Sequence, residues 1–325
     1  MTETSAGPGW YRGDCHVHSV YSDGALTPER LAADARALGL DFLATTEHNT
    51  AEAHAPWARL AAEDLLVVLG EEVTTDDGHW LALGLPQGRL IDWRHGVADG
   101  TLARRLREVT DAGGLAVAAH PHAPYPTGTL RFPLQAFDAV EVWNGLWSSD
   151  RPWNADNEAA LADWTRALAE EVPRGRWRPA IGSSDTHLVD QLGIPHTVVR
   201  AGELTVEAIL AGLRAGHSWI AGSTSVELTF TAGAAGRRAD IGERLVVGAG
   251  HVTARAEVRG VPAGTVGFHT ALGEAHRAAL PATGAGAVTA RIPPDGAEFV
   301  RVEVRHPSGA MAALGNPIAL APTAG

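Results

Sequence analysis

The chain has 325 residues, with 26 basic against 38 acidic side chains and a formal charge of −12. Every basic residue is Arg, so neither a Schiff-base lysine nor a phosphate-loop lysine exists in it. The single cysteine, Cys15, excludes an intrachain disulfide, no apolar run nears the roughly 18–20 residues of a membrane span, and the acidic balance argues against a nucleic-acid backbone as partner.

Met1–Trp10 shows no basic-then-apolar export signal, so a cytoplasmic location away from membranes is expected. Asp14-Cys15-His16-Val17-His18 alternates, and as a strand it puts His16 and His18 on one face, a poor choice for a core and a good one for a chelate. Cys15, pointing the other way, reads as a buried inert thiol, and Asp14 as an anchor for backbone or ligands. Ser22-Asp23-Gly24 follows in a loop. Thr27-Pro28 starts a helix, Thr as N-cap and Pro at the first helical position, which Leu31, Ala35 and Leu38 carry to a stop at Gly39.

Asp41–Thr45 reads as a buried strand and delivers Thr46-Glu47-His48. Leu65–Leu69 is the next strand and delivers Gly70-Glu71-Glu72; His79 opens another. A helix is expected over Thr101–Ala112, then a strand Leu115–Ala119 ending in His120-Pro121-His122 and a strand Ala139–Trp143. A helix over Asn157–Glu171, a strand Pro179–Ser183 ending in Ser184-Asp185-Thr186-His187, and a helix over Thr205–Ala215 complete this part. Repeated strand–helix units imply a parallel sheet, open or closed into a barrel.

Composition shifts near Gly222. Residues 1–222 hold 17 Arg against 30 acids, a balance of −13, with all ten Trp and eleven of the fifteen His; residues 223–325 balance at +1. After the shift Val226–Phe230, His251–Val258, Val266–Thr270, Ala287–Ile292 and Phe299–Arg305 alternate apolar and polar residues between Gly, Pro and Asp, the signal of an antiparallel sandwich. Two domains are expected, 1–222 and 223–325, with the chemistry in the first.

Five strand ends thus deliver His, Asp or Glu, and in a parallel barrel such ends meet on one rim. A lone His at a strand end is ordinary structure. Six His and three carboxylates on one rim make a metal site, and imidazole with carboxylate but no thiolate suits Zn, Mn or Fe.

The ordered elements His16-x-His18, Thr46-x-His48, Gly70-x-Glu72, His120-Pro121 and Ser184-Asp185-x-His187 resemble those of the polymerase-and-histidinol-phosphatase (PHP) family of metallohydrolases, over roughly residues 11–222. The resemblance implies a distorted (β/α)7 barrel, followed here by the small antiparallel β-sandwich, and a centre of two or three divalent ions. It implies His16, His18, Glu72 and Asp185 around one ion, Glu72, His79 and His120 around a second with Glu72 bridging, and Asp23, His48 and His187 around a third. Asp23 stands where many relatives carry His. A narrower resemblance, carried by Val140-Glu141-Val142-Trp143-Asn144-Gly145, by Gly182–His187, and in the tail by Arg301–Arg305 and Gly315-Asn316-Pro317-Ile318, is to the carbaryl-hydrolase (CehA/McbA-like) branch, which includes carboxyl-ester and carbamate hydrolases.

Glu71 or Glu72 could be the bridging acid, and the resemblance to the family's spacing implies Glu72. His122 is a spare ligand, a substrate contact, a general acid or a structural residue. Trp143, Trp147 and Trp153 either wall a substrate pocket or pack beneath the rim, and His54, His95, His196 and His217 read as structural. The expected activity is phosphoester hydrolysis by metal-activated water, with His122, Asp185 and His187 at the reacting centre and Arg131, Asn144 and Arg151 holding a small-molecule substrate. The alternatives are a carboxyl-ester or carbamate hydrolase with the same metals, or a non-catalytic binding or regulatory module. Substrate identity and oligomeric state are left open.

Overall fold

The computed structural model describes residues 8–151, 153–248 and 250–322, so most of the N-terminal segment read for an export signal lies outside the described residues. The first part runs β1 (Gly9–Val17), α1 (Pro28–Leu38), β2 (Phe42–Thr45), α2 (His54–Ala58), β3 (Leu66–Thr75), β4 (Gly78–Leu83), α3 (Leu102–Asp111), β5 (Leu115–Ala118), β6 (Ala139–Asn144), α4 (Asn157–Glu171), β7 (Ala180–Ser183), β8 (His196–Ala201), α5 (Val206–Arg214) and β9 (Ser218–Ala221). Three helices begin on side-chain caps. Thr27 accepts from the Arg30 N–H, Asp156 from Ala159 and Thr205 from Ala208. At the far end of α1, Gly39 takes the left-handed conformation (φ 72°) that a side chain would resist.

The strand pairing is mixed where a parallel sheet was expected. β1, β2 and β3 are mutually parallel, as are β5, β6 and β7, but β4 lies antiparallel to both β3 and β5, and β8 antiparallel to β1. The reason is local. Asp76-Asp77 turns the chain in a two-residue hairpin between the paired Thr75 and Gly78, the latter at φ 107°, so no helix separates β3 from β4. The sheet curls until β7 returns beside β1, where Val17 bridges Thr186 and the His18 N–H donates to the Thr186 carbonyl at 3.1 Å. That return brings the end of β7 next to the end of β1.

The tail adds β10 (Glu227–Ala234), β11 (Arg237–Asp240), β12 (Arg244–Val247), β13 (Val252–Arg259), β14 (Thr265–Thr270), β15 (Gly273–Ala279), β16 (Gly286–Ile292), β17 (Phe299–Arg305), β18 (Met311–Gly315) and β19 (Ile318–Pro322). Strands β11, β10, β13 and β16 form a separate antiparallel sheet whose alternate side chains, such as Phe230, Ala254 and Ala256, pack on Val266, Phe268 and Val302 of the larger one.

The boundary placed at Gly222 falls between β9 and β10, and the hydrogen bonding crosses it. β18 pairs antiparallel with β9, so the large sheet runs on from β9 through β18, β17, β19 and β12. The core crosses as well: Phe299, Met311 and Leu314 share one cluster with Trp143, Trp164 and Ile220. Asn316 closes the seam, accepting from the Ala180 N–H at 2.8 Å and donating to the carbonyls of Ala180 and Ser218 at 3.0 Å each.

Candidate metal centre

Glu72 is the hub. Strand alternation sends Glu71 to the opposite face of β3, where it accepts from the Ile91 N–H, and leaves Glu72 pointing at the rim. Its Oε2 lies 3.3 Å from His16 Nε2, 3.2 Å from His18 Nε2 and 2.9 Å from His48 Nδ1, and its Oε1 lies 2.8 Å from His79 Nδ1 and 3.0 Å from His120 Nε2. Asp185 Oδ1 approaches the same His16 and His18 nitrogens at 3.3 and 3.1 Å. His79 reaches this point because β4 runs antiparallel, which places its first residues at the rim where the parallel strands end.

Four buried atoms, His16 Nε2, His18 Nε2, Glu72 Oε2 and Asp185 Oδ1, therefore face one another, and none has a hydrogen-bond partner. Buried polar atoms are ordinarily paired. Two imidazole nitrogens and two carboxylate oxygens converging on one point with no other partner fit a divalent cation of the Zn, Mn or Fe type. Overlapping sets surround them: His16, His120 and Asp185; His48, Glu72 and His79; and His18, Asp23, His48 and His187, each with ligand atoms within 4.8 Å of one another. All nine residues assigned to metals from the sequence come together here.

The electrostatics follow from packing these groups. Burial disfavours ionising Glu72, yet His48, His16 and His79 outweigh it and hold its carboxyl well below the usual range. Burial opposes the imidazolium of His48, and Glu72 and Asp23 nevertheless raise it to about 11; His187 rises to about 9 through Asp23 and Asp185 against the same burial cost. Such proton affinity reports a strongly negative pocket suited to cations.

Supporting residues were harder to find in the sequence. Glu141, fully buried on β6, meets His16 Nδ1 at 3.1 Å and accepts from the His120 N–H at 2.9 Å and Asn144 Nδ2 at 3.1 Å, so it orients two ligands at once. A lone acid between Val140 and Val142 in an otherwise apolar strand is the signal the sequence offers. Glu47, also buried, accepts from the Ser19 N–H and the hydroxyls of Ser19 and Ser22, which ties down the loop carrying Asp23. In that loop Gly24 packs so closely that a Cβ would sit 2.5 Å from the His18 carbonyl oxygen. Asp14 accepts from the N–H groups of His16, Ser184 and Gly193 and so joins β1 to the loop after β7. Ligands His120 and Asp185 both hold positive φ, 23° and 51°, strain of the kind that persists where surroundings over-determine a site.

The centre floors a cavity of about 850 Å³. Asn144 and Arg151 line it, and Asn144 Nδ2 lies 3.2 Å from Asp185. His122 and Arg131 do not. His122 Nε2 is taken by Asp163 of α4 at 2.9 Å, and Arg131 pairs with Asp77 at 3.1 Å on the surface. β5 has ended at Ala118, His120 takes a positive φ of 23° and the Ala123 N–H donates to the His120 carbonyl, so His122 sits in a turn and not on a strand face. The tryptophans divide: Trp153 borders the cavity, while Trp143 and Trp147 are buried and stack edge to face, 5.1 Å apart, beneath it. His54 and His196 are occupied by backbone carbonyls, of Gly70 and Gly193.

Comparison with known proteins places this site in context. Residues 14–100 match the PHP domain family, and residues 165–218 match the PHP-associated family. The uncharacterized protein MJ1587 of Methanocaldococcus jannaschii is 29% identical over 147 residues, which cover 41% of this chain and 81% of that one. Among solved structures, a two-domain protein from Bacteroides vulgatus containing a predicted PHP-like metal-dependent phosphoesterase superposes over 97% of this chain and 96% of its own, at 18% identity and a TM-score of 0.56. The two folds are therefore alike across both the α/β part and the β-rich C-terminal region.

Proposed function

We propose that this chain is a metal-dependent hydrolase of the PHP kind and that its reaction is phosphoester hydrolysis. The observation that carries the reading is the convergence of nine His, Asp and Glu side chains, four of them with unpaired buried atoms facing one another. A degenerate, merely binding module would have no reason to keep that set. On this reading the curled first sheet is a distorted (β/α)7 barrel, the tail is a small β-sandwich, and the carbaryl-hydrolase branch is the subgroup.

His16, His18, Glu72 and Asp185 would hold one ion, Glu72, His79 and His120 a second, and Asp23, His48 and His187 a third. Bound divalent ions would supply Lewis acidity and a water made acidic near neutral pH. The chain's own residues do the rest. Arg151 offers a guanidinium fork to an anionic group entering the cavity. Asn144 keeps Asp185 and Glu141 aligned through its amide. The Tyr125 hydroxyl, half-enclosed on the cavity wall, is pushed upward in pKa by burial and by Glu72, Asp185 and Asp23, so it stays protonated as a donor. His187, whose Nδ1 meets the Asp185 carbonyl at 2.8 Å, is the imidazole nearest the opening. A carboxyl ester or carbamate is the second reading, favoured by the single Arg among the residues lining the cavity.

The test is a screen of the metal-loaded protein against phosphomonoesters, phosphodiesters and aryl esters, with elemental analysis of the same sample. Turnover of a phosphoester that disappears in Asp185→Ala is expected. Turnover confined to carboxyl esters would move the assignment to the second reading, and no turnover at full metal occupancy would overturn both.

A further inference from the structure

The cavity has two unlike walls. Its floor is the polar cluster described above, and its outer rim is apolar. Leu146 and Trp153, on the loop after β6, and Leu188, Val189 and Ile194, on the loop after β7, all border it and are 38–56% exposed. Among the described residues, eleven large apolar side chains are more than a third exposed, and five of them border this one cavity. Single exposed hydrophobics are normal on a surface; a ring of five around a cavity marks a contact surface.

The charges narrow what could be contacted. Arg151 is the single Arg among the lining residues, and with Asp23, Glu72 and Asp185 taken up by the His/Asp/Glu cluster, Asp190 is the lining carboxylate left beside it. A polynucleotide or a nucleoside triphosphate would bring several phosphates to a rim with one guanidinium. One guanidinium matches one anionic group. The volume, about 850 Å³, falls within the range of small-molecule sites.

We propose that the substrate is a small monoester of amphipathic shape, with its reacting group between the His/Asp/Glu cluster and Arg151 and its alcohol portion, alkyl or aryl, lying against Trp153, Leu188, Val189 and Ile194. This rests on the hydrolase reading and adds the substrate class to it. In the reaction, water oxygen bonds to phosphorus, the bond from phosphorus to the ester oxygen breaks, and a proton passes to the departing alcohol, leaving inorganic phosphate.

The experiment uses the full chain reconstituted with Mn(II) and an n-alkyl phosphate series, butyl, hexyl and octyl, whose leaving alcohols are nearly equal in acidity. The expected result is a kcat/KM that climbs with chain length toward about fourfold per methylene, the equivalent of about 0.8 kcal/mol for each buried CH₂. Trp153→Ser combined with Leu188→Ser should flatten that slope at unchanged metal content. Turnover with no dependence on chain length, or a dinucleotide preferred to octyl phosphate, would overturn the proposal while leaving the hydrolase reading intact. If no alkyl phosphate in the series turns over, monoester hydrolysis fails separately, and the hydrolase reading stands or falls with the phosphodiesters and aryl esters of the screen above. Calorimetric binding of the matching n-alkylphosphonates, which cannot be hydrolysed, then decides: affinity rising with chain length supports the apolar rim, and flat affinity overturns it.

Discussion

At the scale of single residues, two neighbouring glutamates on β3 show how one strand sets two fates. Glu72 faces the rim among five imidazoles and is held ionised. Glu71, one residue earlier on the other face, is buried with a single N–H partner, and burial pushes its carboxyl from the ordinary 4.5 up to about 8, with Asp92 adding to the rise. A carboxyl raised on folding favours the folded state fully below pH 4.5, and that contribution is lost as pH climbs toward 8. Glu71→Gln, neutral throughout, should match the parent protein near pH 5 and melt several degrees higher at pH 9; thermal scans at both values check this. Glu141 acts through the residues it holds. Glu141→Gln keeps the volume but loses the charge behind His16 and His120, and metal affinity should fall about 10- to 100-fold with the fold retained. Competition with a graded series of chelators, read alongside circular dichroism, measures both.

At the scale of elements, β17 reaches from the tail to the loop that carries Arg151 and Trp153. Arg305 donates to Glu158 at the start of α4 at 2.6 Å, Glu158 accepts from Trp147 Nε1 at 2.8 Å, and the Arg305 guanidinium covers the Trp147 ring at 5.4 Å. Glu303, nearly buried, accepts from both Arg301 and Arg305, and Arg301 donates onward to Thr165 of α4. Asn157, donating to the carbonyls of Asn144, Leu146 and Trp147, pins the loop from its other side. The alternation of Arg301, Glu303 and Arg305 with Val300, Val302 and Val304 thus gives one face to the tail's core and the other to α4. Arg305→Ala should loosen the rim and raise KM several-fold with a smaller change in kcat and no loss of metal. Arg305→Lys keeps the charge without the fork and should recover only part of it. Steady-state kinetics on whichever ester the screen identifies, with metal analysis, separates this positioning effect from general unfolding.

At the scale of the whole molecule, the two parts share a sheet and a core, so removing residues 223–325 would uncover the β9 edge and the apolar cluster that Phe299, Met311 and Leu314 complete. The shortened chain should aggregate or melt well below the full one, and any folded fraction should still bind metal, because none of the nine converging His, Asp and Glu side chains comes from the tail. Asn316→Ala tests the seam alone. It leaves the Ala180 N–H and the Ala180 carbonyl without their side-chain partner in a buried place, while the Ser218 carbonyl keeps the backbone N–H of residue 316, at a cost of about 2–4 kcal/mol, which a denaturant titration would read. The sequence by itself determined four of the five helices and the Thr27 cap, most strands, and which nine His, Asp and Glu side chains converge, because these depend on local spacing: period in a strand, a cap before a helix, acid and imidazole at strand ends. Tertiary structure alone decided the rest. It set β4 antiparallel through a turn of a few residues, drew β18 onto β9 across about ninety positions of sequence, turned His122 and Arg131 to partners outside the cavity, and brought Glu141 behind His16 from 125 residues away. Each of those depends on which distant groups compete for the same hydrogen bond or surface, and sequence spacing carries no measure of that competition.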